Sequence, residues 1–544
     1  MSSSEGSGVS VTVFQNAHVF DGHRYRGDVG DVVVEGGRIV TVGASGTPSG
    51  ATVVDVGGGL LAPGFVDAHV HAIQGGLERL ACDLSGVPVD EAAYLAHVGS
   101  YAASHPDTAW IRGGGWAMAA FPGGVPSARA LDAVVPDRPV ALVNRDHHGM
   151  WVNTRALEVA GIHAGTPDPP DGRFERDEAG NPTGMLHEGA MRWVDEVLPV
   201  VDDDAMLAGF LEGQSYLHSF GVTAWQDAIV GAYAGMQDNG PTYLRAAQEG
   251  LISGTVVGAL WWDRDRGAEQ VADLVERRSA LSHGRFSATA VKIMQDGIIE
   301  NGTAGLAEPY LDRCGHHTDN AGISFVDPAQ LPAYIAALDR LGFQVHVHGI
   351  GDRGVHEALD AFEGTDPARR HHIAHLQLIE PDDIPRFHAL GVAANLQALW
   401  ACLDEQMTEL TIPFLGAERA GRQYPFADLL RSGARLVAGS DWPVSTPNPL
   451  EAIHVAVHRV DHGGLARGGM EPFLPEQALP IEAAFAAYTS GSSWVNHRDD
   501  AGTIAPGAVA DLVVLDRDPF LAPDSIGAAQ VVSTWVDGEV VHQA

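Results

Sequence analysis

Lysine is all but missing from this chain of 544 residues: Lys292 is the only one, and every other basic side chain apart from histidine is arginine. Basic charge is scarce altogether, with 33 Lys and Arg against 70 Asp and Glu and a net charge of −37. Such a surface repels the phosphates of nucleic acids and of anionic membranes, which leaves a small molecule as the expected binding partner. The three cysteines, Cys82, Cys314 and Cys402, are far apart and form no C-x-x-C pair, so they suggest neither a disulfide framework nor a thiolate zinc site; they read as core thiols. There is no apolar run of 18 residues and no charged-then-apolar leader, so the expectation is a cytoplasmic protein without membrane contact.

Against that background the lone lysine stands out by its context. Lys292 lies in Ala288-Thr-Ala-Val-Lys-Ile-Met294, an apolar, strand-like run where a long cation is costly to bury without a partner or a change of charge. A second feature is Ala62-Pro-Gly-Phe-Val-Asp-Ala-His-Val-His71, a Pro-Gly turn followed by a short apolar run ending in two histidines. Residues i and i+2 of a strand share a side, so His69 and His71 present two imidazoles to one site, which is a metal-ligand spacing.

Residues 1–8 are rich in Ser and Gly and read as a disordered tail. From 9 to 62, short valine-rich runs separated by glycine-bearing turns predict part of a small β-sandwich; 499–544 repeats the style and predicts its other part, with Asp537-Gly538 as a hairpin turn. Between them, from 63 to 498, eight strand-like runs alternate with helix-like segments, the pattern of an α/β (β/α)8 TIM barrel, whose functional residues sit at the carboxyl ends of the strands. Those ends carry His69 and His71 on the first strand, Lys292 on the fourth, His348 on the fifth, His375 on the sixth and Asp441 on the eighth. Residues from about 75 to 200 are too many for a loop and predict a cap subdomain over the barrel mouth.

On these residues the chain resembles the amidohydrolase superfamily, in particular the YtcJ-like or "amidohydrolase 3" group that includes N-substituted formamide deformylases. The resemblance runs from about Val9 to His542. Besides the Pro-Gly-to-His-Val-His stretch it rests on Arg145-Asp-His-His-Gly-Met-Trp-Val-Asn153, Gly184-Met-Leu-His-Glu188, Lys292 with Asp296-Gly297, His348-Gly-Ile-Gly-Asp-Arg353, Gly439-Ser-Asp-Trp-Pro-Val444 and Gly507-Ala-Val-Ala-Asp511. The chain departs from the pattern at Ala374, where a glutamate is common, and at Ala398, where a proline is common.

The resemblance implies two divalent metals, zinc first with manganese or iron as alternatives. His69, His71 and Asp441 would hold one and His348 and His375 the other, with Lys292, carboxylated by carbon dioxide, as bridge. It also implies catalytic roles for Asp441 as acid and base, for Lys292 and for His148. Trp116, His148 and Arg145 are the expected substrate contacts, Asp146 a further cavity residue, and Glu188 and Asp296 structural groups. The activity implied is hydrolysis of a non-peptide C–N bond of a small molecule, an N-acyl or N-formyl amide. A cyclic amide, a carbamate or a deamination is the alternative chemistry, and a non-catalytic binding protein the alternative class. A homodimer is the expected assembly.

Overall fold

The computed structural model describes residues 10–44, 46–233, 236–467 and 471–544; the tail 1–8 expected to be disordered lies outside them. Eight strands form one parallel sheet in chain order: β1 (Phe65–Val70), β2 (Val222–Val230), β3 (Thr255–Trp261), β4 (Phe286–Met294), β5 (Gln344–Gly349), β6 (His372–His375), β7 (Ala393–Leu396) and β8 (Leu436–Ala438). All eight runs read from the sequence are present. Just past β8 the sheet curls back on β1: Asp441 N–H donates to His69 O and His71 N–H to Trp442 O, both at 2.8 Å. Helices connect the strands, as parallel crossovers require, and the result is a TIM-like barrel.

β1 and β5 are buried along their whole length, because helices cover one face and the barrel interior takes the other. The interior face of β1 presents Asp67, His69 and then His71, and that of β5 presents Gln344, His346 and His348. The register pairs Met294 with His348, His348 with Ala374 and His375 with Leu396, which brings the carboxyl ends to one level.

Helix Ala72–Arg79 leaves β1 and crosses Asp203–Ser219, the helix that leads into β2. The crossing is close: a Cβ on Gly76 would lie 1.8 Å from Gly209 O. Asp202 caps the second helix by accepting from Ala205 N–H. Between these helices the chain makes a six-stranded sheet, from Cys82–Asp83 and Ile111–Trp116 through Val140–Asn144, Gly149–Val152 and Pro182–Glu188 to Gly172–Arg176.

The chain ends make two further sheets. One holds Val11–Gln15, Asp31–Glu35, Arg38–Ala44 and Thr52–Asp55; the other joins Leu60–Pro63, His18–Phe20 and Tyr25–Asp28 to Leu512–Leu515, Val531–Val536 and Glu539–Gln543. Both contribute to one apolar cluster that includes Phe14, Val32, Leu61, Val514 and Trp535. Asp537 and Gly538 both have positive φ, 49° and 75°, at the turn read from the sequence.

Candidate active site

The strand ends converge on Asp441. His69 Nε2 and His71 Nε2 each lie 3.1 Å from the same oxygen, Oδ1, and His375 Nδ1 lies 3.8 Å from Oδ2. The ligating atoms of His69, His71 and Asp441 all fall within 4.8 Å of one another. Burial works against charge on Asp441, yet the facing imidazoles of His69, His71 and His375 hold its carboxyl well below the usual carboxylate range. Asp441 and His375 have φ of 54° and 80°, left-handed backbone at two of the converging positions.

The second group is looser. His348 and His375 have ring centroids 4.3 Å apart, and Lys292 is buried on β4 beside them. Burial depresses the Lys292 amine to about 7, with the charge of Asp441 only partly opposing it, so a substantial share of the amine is unprotonated at physiological pH and has its lone pair free. His348 Nδ1 faces Asp296 Oδ1 at 3.1 Å, which leaves Nε2 for the cavity. Asp296 also accepts from Gly305, Ile350 and Gly351 N–H, so it is an orienting group, as expected. Both ring nitrogens of His375 are buried and without a hydrogen-bond partner. A carboxylate and imidazoles with unused lone pairs are a donor set a divalent cation takes, and the residues present fit one.

Above this floor opens a cavity of about 470 Å³ that His148 also lines. His148 Nδ1 contacts Glu188 Oε1 at 2.9 Å, and Thr303 Oγ donates to the same oxygen at 2.9 Å. Burial alone would lower the imidazole, but the charge and hydrogen bond of Glu188, with Asp146 and Asp441, push it up to about 9. His148 is therefore held toward its charged form at neutral pH, in the same cavity as Asp441.

Two expected substrate contacts sit elsewhere. Trp116 does not line the cavity: it is fully buried in the apolar cluster of the six-stranded sheet, against Phe121 and Trp151, and its Nε1–H donates to Leu142 O at 2.8 Å. Its role is packing: the strand Ile111–Trp116 shifts register between Gly114 and Trp116, with Gly115 at φ 89°, and the ring lies in that cluster. Arg145 lines a smaller, adjoining cavity of about 150 Å³. Asp146 lines both.

The sequence reading missed the polar groups beneath the floor. Asp67 accepts from Ser440 Oγ at 2.5 Å and from the N–H groups of Ser440 and His69 at 3.0 Å, tying β1 to β8 under Asp441. His346 Nε2 lies 2.9 Å from His69 Nδ1. The signal was available, since Asp67 and His346 stand two residues before His69 and His348, on the same strand faces.

The sequence profile of the Amidohydrolase family matches residues 52–542. The chain is 30% identical over 540 residues, 94% of its length and 88% of the relative's, to the protein LONG AFTER FAR-RED 3 of Arabidopsis thaliana. It is 29% identical over 552 residues, 94% of each, to the N-substituted formamide deformylase of Arthrobacter pascens. In structure it is similar to an uncharacterized metal-dependent hydrolase from Pyrococcus horikoshii OT3, with a TM-score of 0.73, 24% identity, and 95% and 99% of the two chains covered.

Proposed function

Because the chain belongs to the amidohydrolase family of metal-dependent hydrolases, we propose that its substrate is a small molecule with an amide-type C–N bond other than a peptide bond, an N-formyl or N-acyl amide. The observation that carries this reading is the meeting of two imidazole nitrogens on one oxygen of Asp441, with a buried lysine of depressed basicity and an imidazole without a hydrogen-bond partner beside it. His69, His71 and Asp441 would hold one cation, and His348 and His375 a second. We assign zinc first, with manganese or iron as alternatives. A cation bound there supplies Lewis acidity, which polarises a carbonyl and acidifies water.

The remaining steps belong to the protein. Addition of the Lys292 lone pair to carbon dioxide, with the amine proton released to solvent, would make a carbamate whose two oxygens could each serve as a ligand atom for the cations; arginine has no such chemistry. Asp441 takes the proton of the attacking water as the oxygen joins the carbonyl carbon, and returns it to the nitrogen as the C–N bond breaks, giving a carboxylic acid and an amine. The His148 imidazolium, held by Glu188, donates toward the carbonyl oxygen as negative charge gathers there.

Metal analysis joined to an amide panel tests this. We expect bound divalent metal and metal-dependent release of amine. Bound metal with no turnover of linear amides, cyclic amides or carbamates would make the chain a binding protein on a hydrolase barrel.

A further inference from the structure

The wall of the main cavity is built differently from its floor. Five of the ten methionines in the chain line it: Met150 and Met191 from the segment between β1 and β2, Met206 from the helix before β2, Met236 from the loop after β2, and Met294 from the end of β4. They come from five separate stretches of chain, so no local sequence bias gathers them. Methionine is unbranched and polarizable and repacks around different shapes at small cost, unlike the branched aliphatics of an ordinary barrel core. Two half-buried carboxyls on the same wall are shifted toward their neutral forms: burial pushes Glu78 up to about 8 and Asp195, beside Arg112, up to about 7.

We infer that this wall is a subsite for a bulky, uncharged, apolar substituent on the substrate, and that it accepts several shapes of that substituent; what the substituent is attached to rests on the amide reading above. The volume of about 470 Å³ lies within the range of pockets that enclose whole small molecules, so there is room for a ring or a chain beyond the reacting bond. Binding of 1-alkanols and benzyl alcohol to the metal-loaded protein, measured by calorimetry, tests the subsite without chemistry. Affinity should rise about fourfold for each added methylene up to octanol. Benzyl alcohol should bind as well, and Met150→Gln and Met206→Gln should each weaken octanol at least fivefold with metal content intact. Affinity indifferent to chain length, or binding of one shape and not the other, would overturn the inference. Length-dependent binding with no turnover of N-octyl or N-benzyl amides would instead sink the hydrolase reading and leave the subsite standing.

A separate observation concerns the barrel interior below the floor. Gln344 Nε2 donates to Arg370 O and Val495 O, so its Oε1 must accept from Gln226; Gln226 Nε2 also reaches Asn496 Oδ1, so its Oε1 must accept from His372 Nε2–H. Asn395 Nδ2 donates to His372 Nδ1, and the tautomer of His372 is fixed. The His372 ring packs 4.0 Å from that of His346, whose Nε2 meets His69 Nδ1. With a cation taking His69 Nε2, the proton of that ring falls on Nδ1, and the geometry assigns His346 as a positioning residue whose Nε2, 2.9 Å away, accepts it, leaving His346's own proton on a buried Nδ1 without a partner; other proteins give this task to a carboxylate or carbonyl.

Chelator competition on His346→Leu should show metal affinity 10- to 100-fold lower than wild type, and His346→Gln, which keeps an acceptor, should recover most of it. In the zinc-loaded wild type, ¹⁵N shifts of His69 should place its proton on Nδ1, a readout independent of how the variants fold. A proton absent from Nδ1, or a folded His346→Leu with wild-type metal affinity, overturns the assignment. A wild type that takes up no metal overturns the metal centre itself.

Discussion

The floor and the wall of one cavity follow opposite rules. On the floor most imidazoles are held by a polar neighbour: His69 between His346 and Asp441, His348 against Asp296, His148 against Glu188. On the wall five flexible methionines from separate stretches of chain stand among aliphatic side chains and a few polar ones. The difference teaches that chemistry needs orientation and recognition of an apolar group needs only adaptable volume, so substitutions should act on turnover below and on affinity above.

The sharpest contrast should come from Asp441→Asn, which keeps the shape but removes the base and weakens the ligand. Turnover should fall on the order of 10³-fold or more with the melting transition retained, and kcat near wild type would take Asp441 out of the mechanism. Lys292→Arg comes next. It keeps a positive charge in a buried position but cannot form a carbamate, so the variant should lose one metal equivalent and activity by about 10²-fold or more, as elemental analysis and rates will show. Full metal content and activity would remove the bridge.

A smaller effect concerns pH. His148 is raised to about 9, so its charge and the part of stability that depends on it are fully present below the unfolded value near 6.5 and are lost as pH rises through about 9. The rate should therefore fall on the alkaline side of about 9, and Glu188→Gln should bring that fall to lower pH. An alkaline limb that does not move would separate His148 from the chemistry. The smallest effect should be Trp116→Phe. Loss of the Nε1–H bond to Leu142 O should cost about 1–2 kcal/mol in unfolding with KM unchanged within about twofold, since the ring packs in the six-stranded sheet; a large rise in KM would return Trp116 to the substrate.

Much of the floor was legible in the chain. Strands have a period of two, so His69 with His71 declared a shared face, and eight alternating runs declared a barrel with its chemistry at the carboxyl ends. Lys292 was conspicuous because an arginine-only chain kept one lysine in an apolar run. The same periodicity marked Asp67 and His346, but nothing local said that these face a histidine on another strand rather than fill a core. Trp116 misled for the reverse reason: a tryptophan in a glycine-rich stretch reads equally as a substrate contact or as packing.

By itself, then, the sequence determined the strand order, the identity of the converging residues and the scarcity of basic charge, because these depend on periodicity and composition along the chain. Only the tertiary structure decided which imidazole nitrogen is free, that burial pushes Lys292 down while Glu188 pushes His148 up, and that five distant methionines share a wall. Protonation and cavity lining depend on burial and on neighbours brought from far along the chain, and neither is encoded within the span of a single strand or helix.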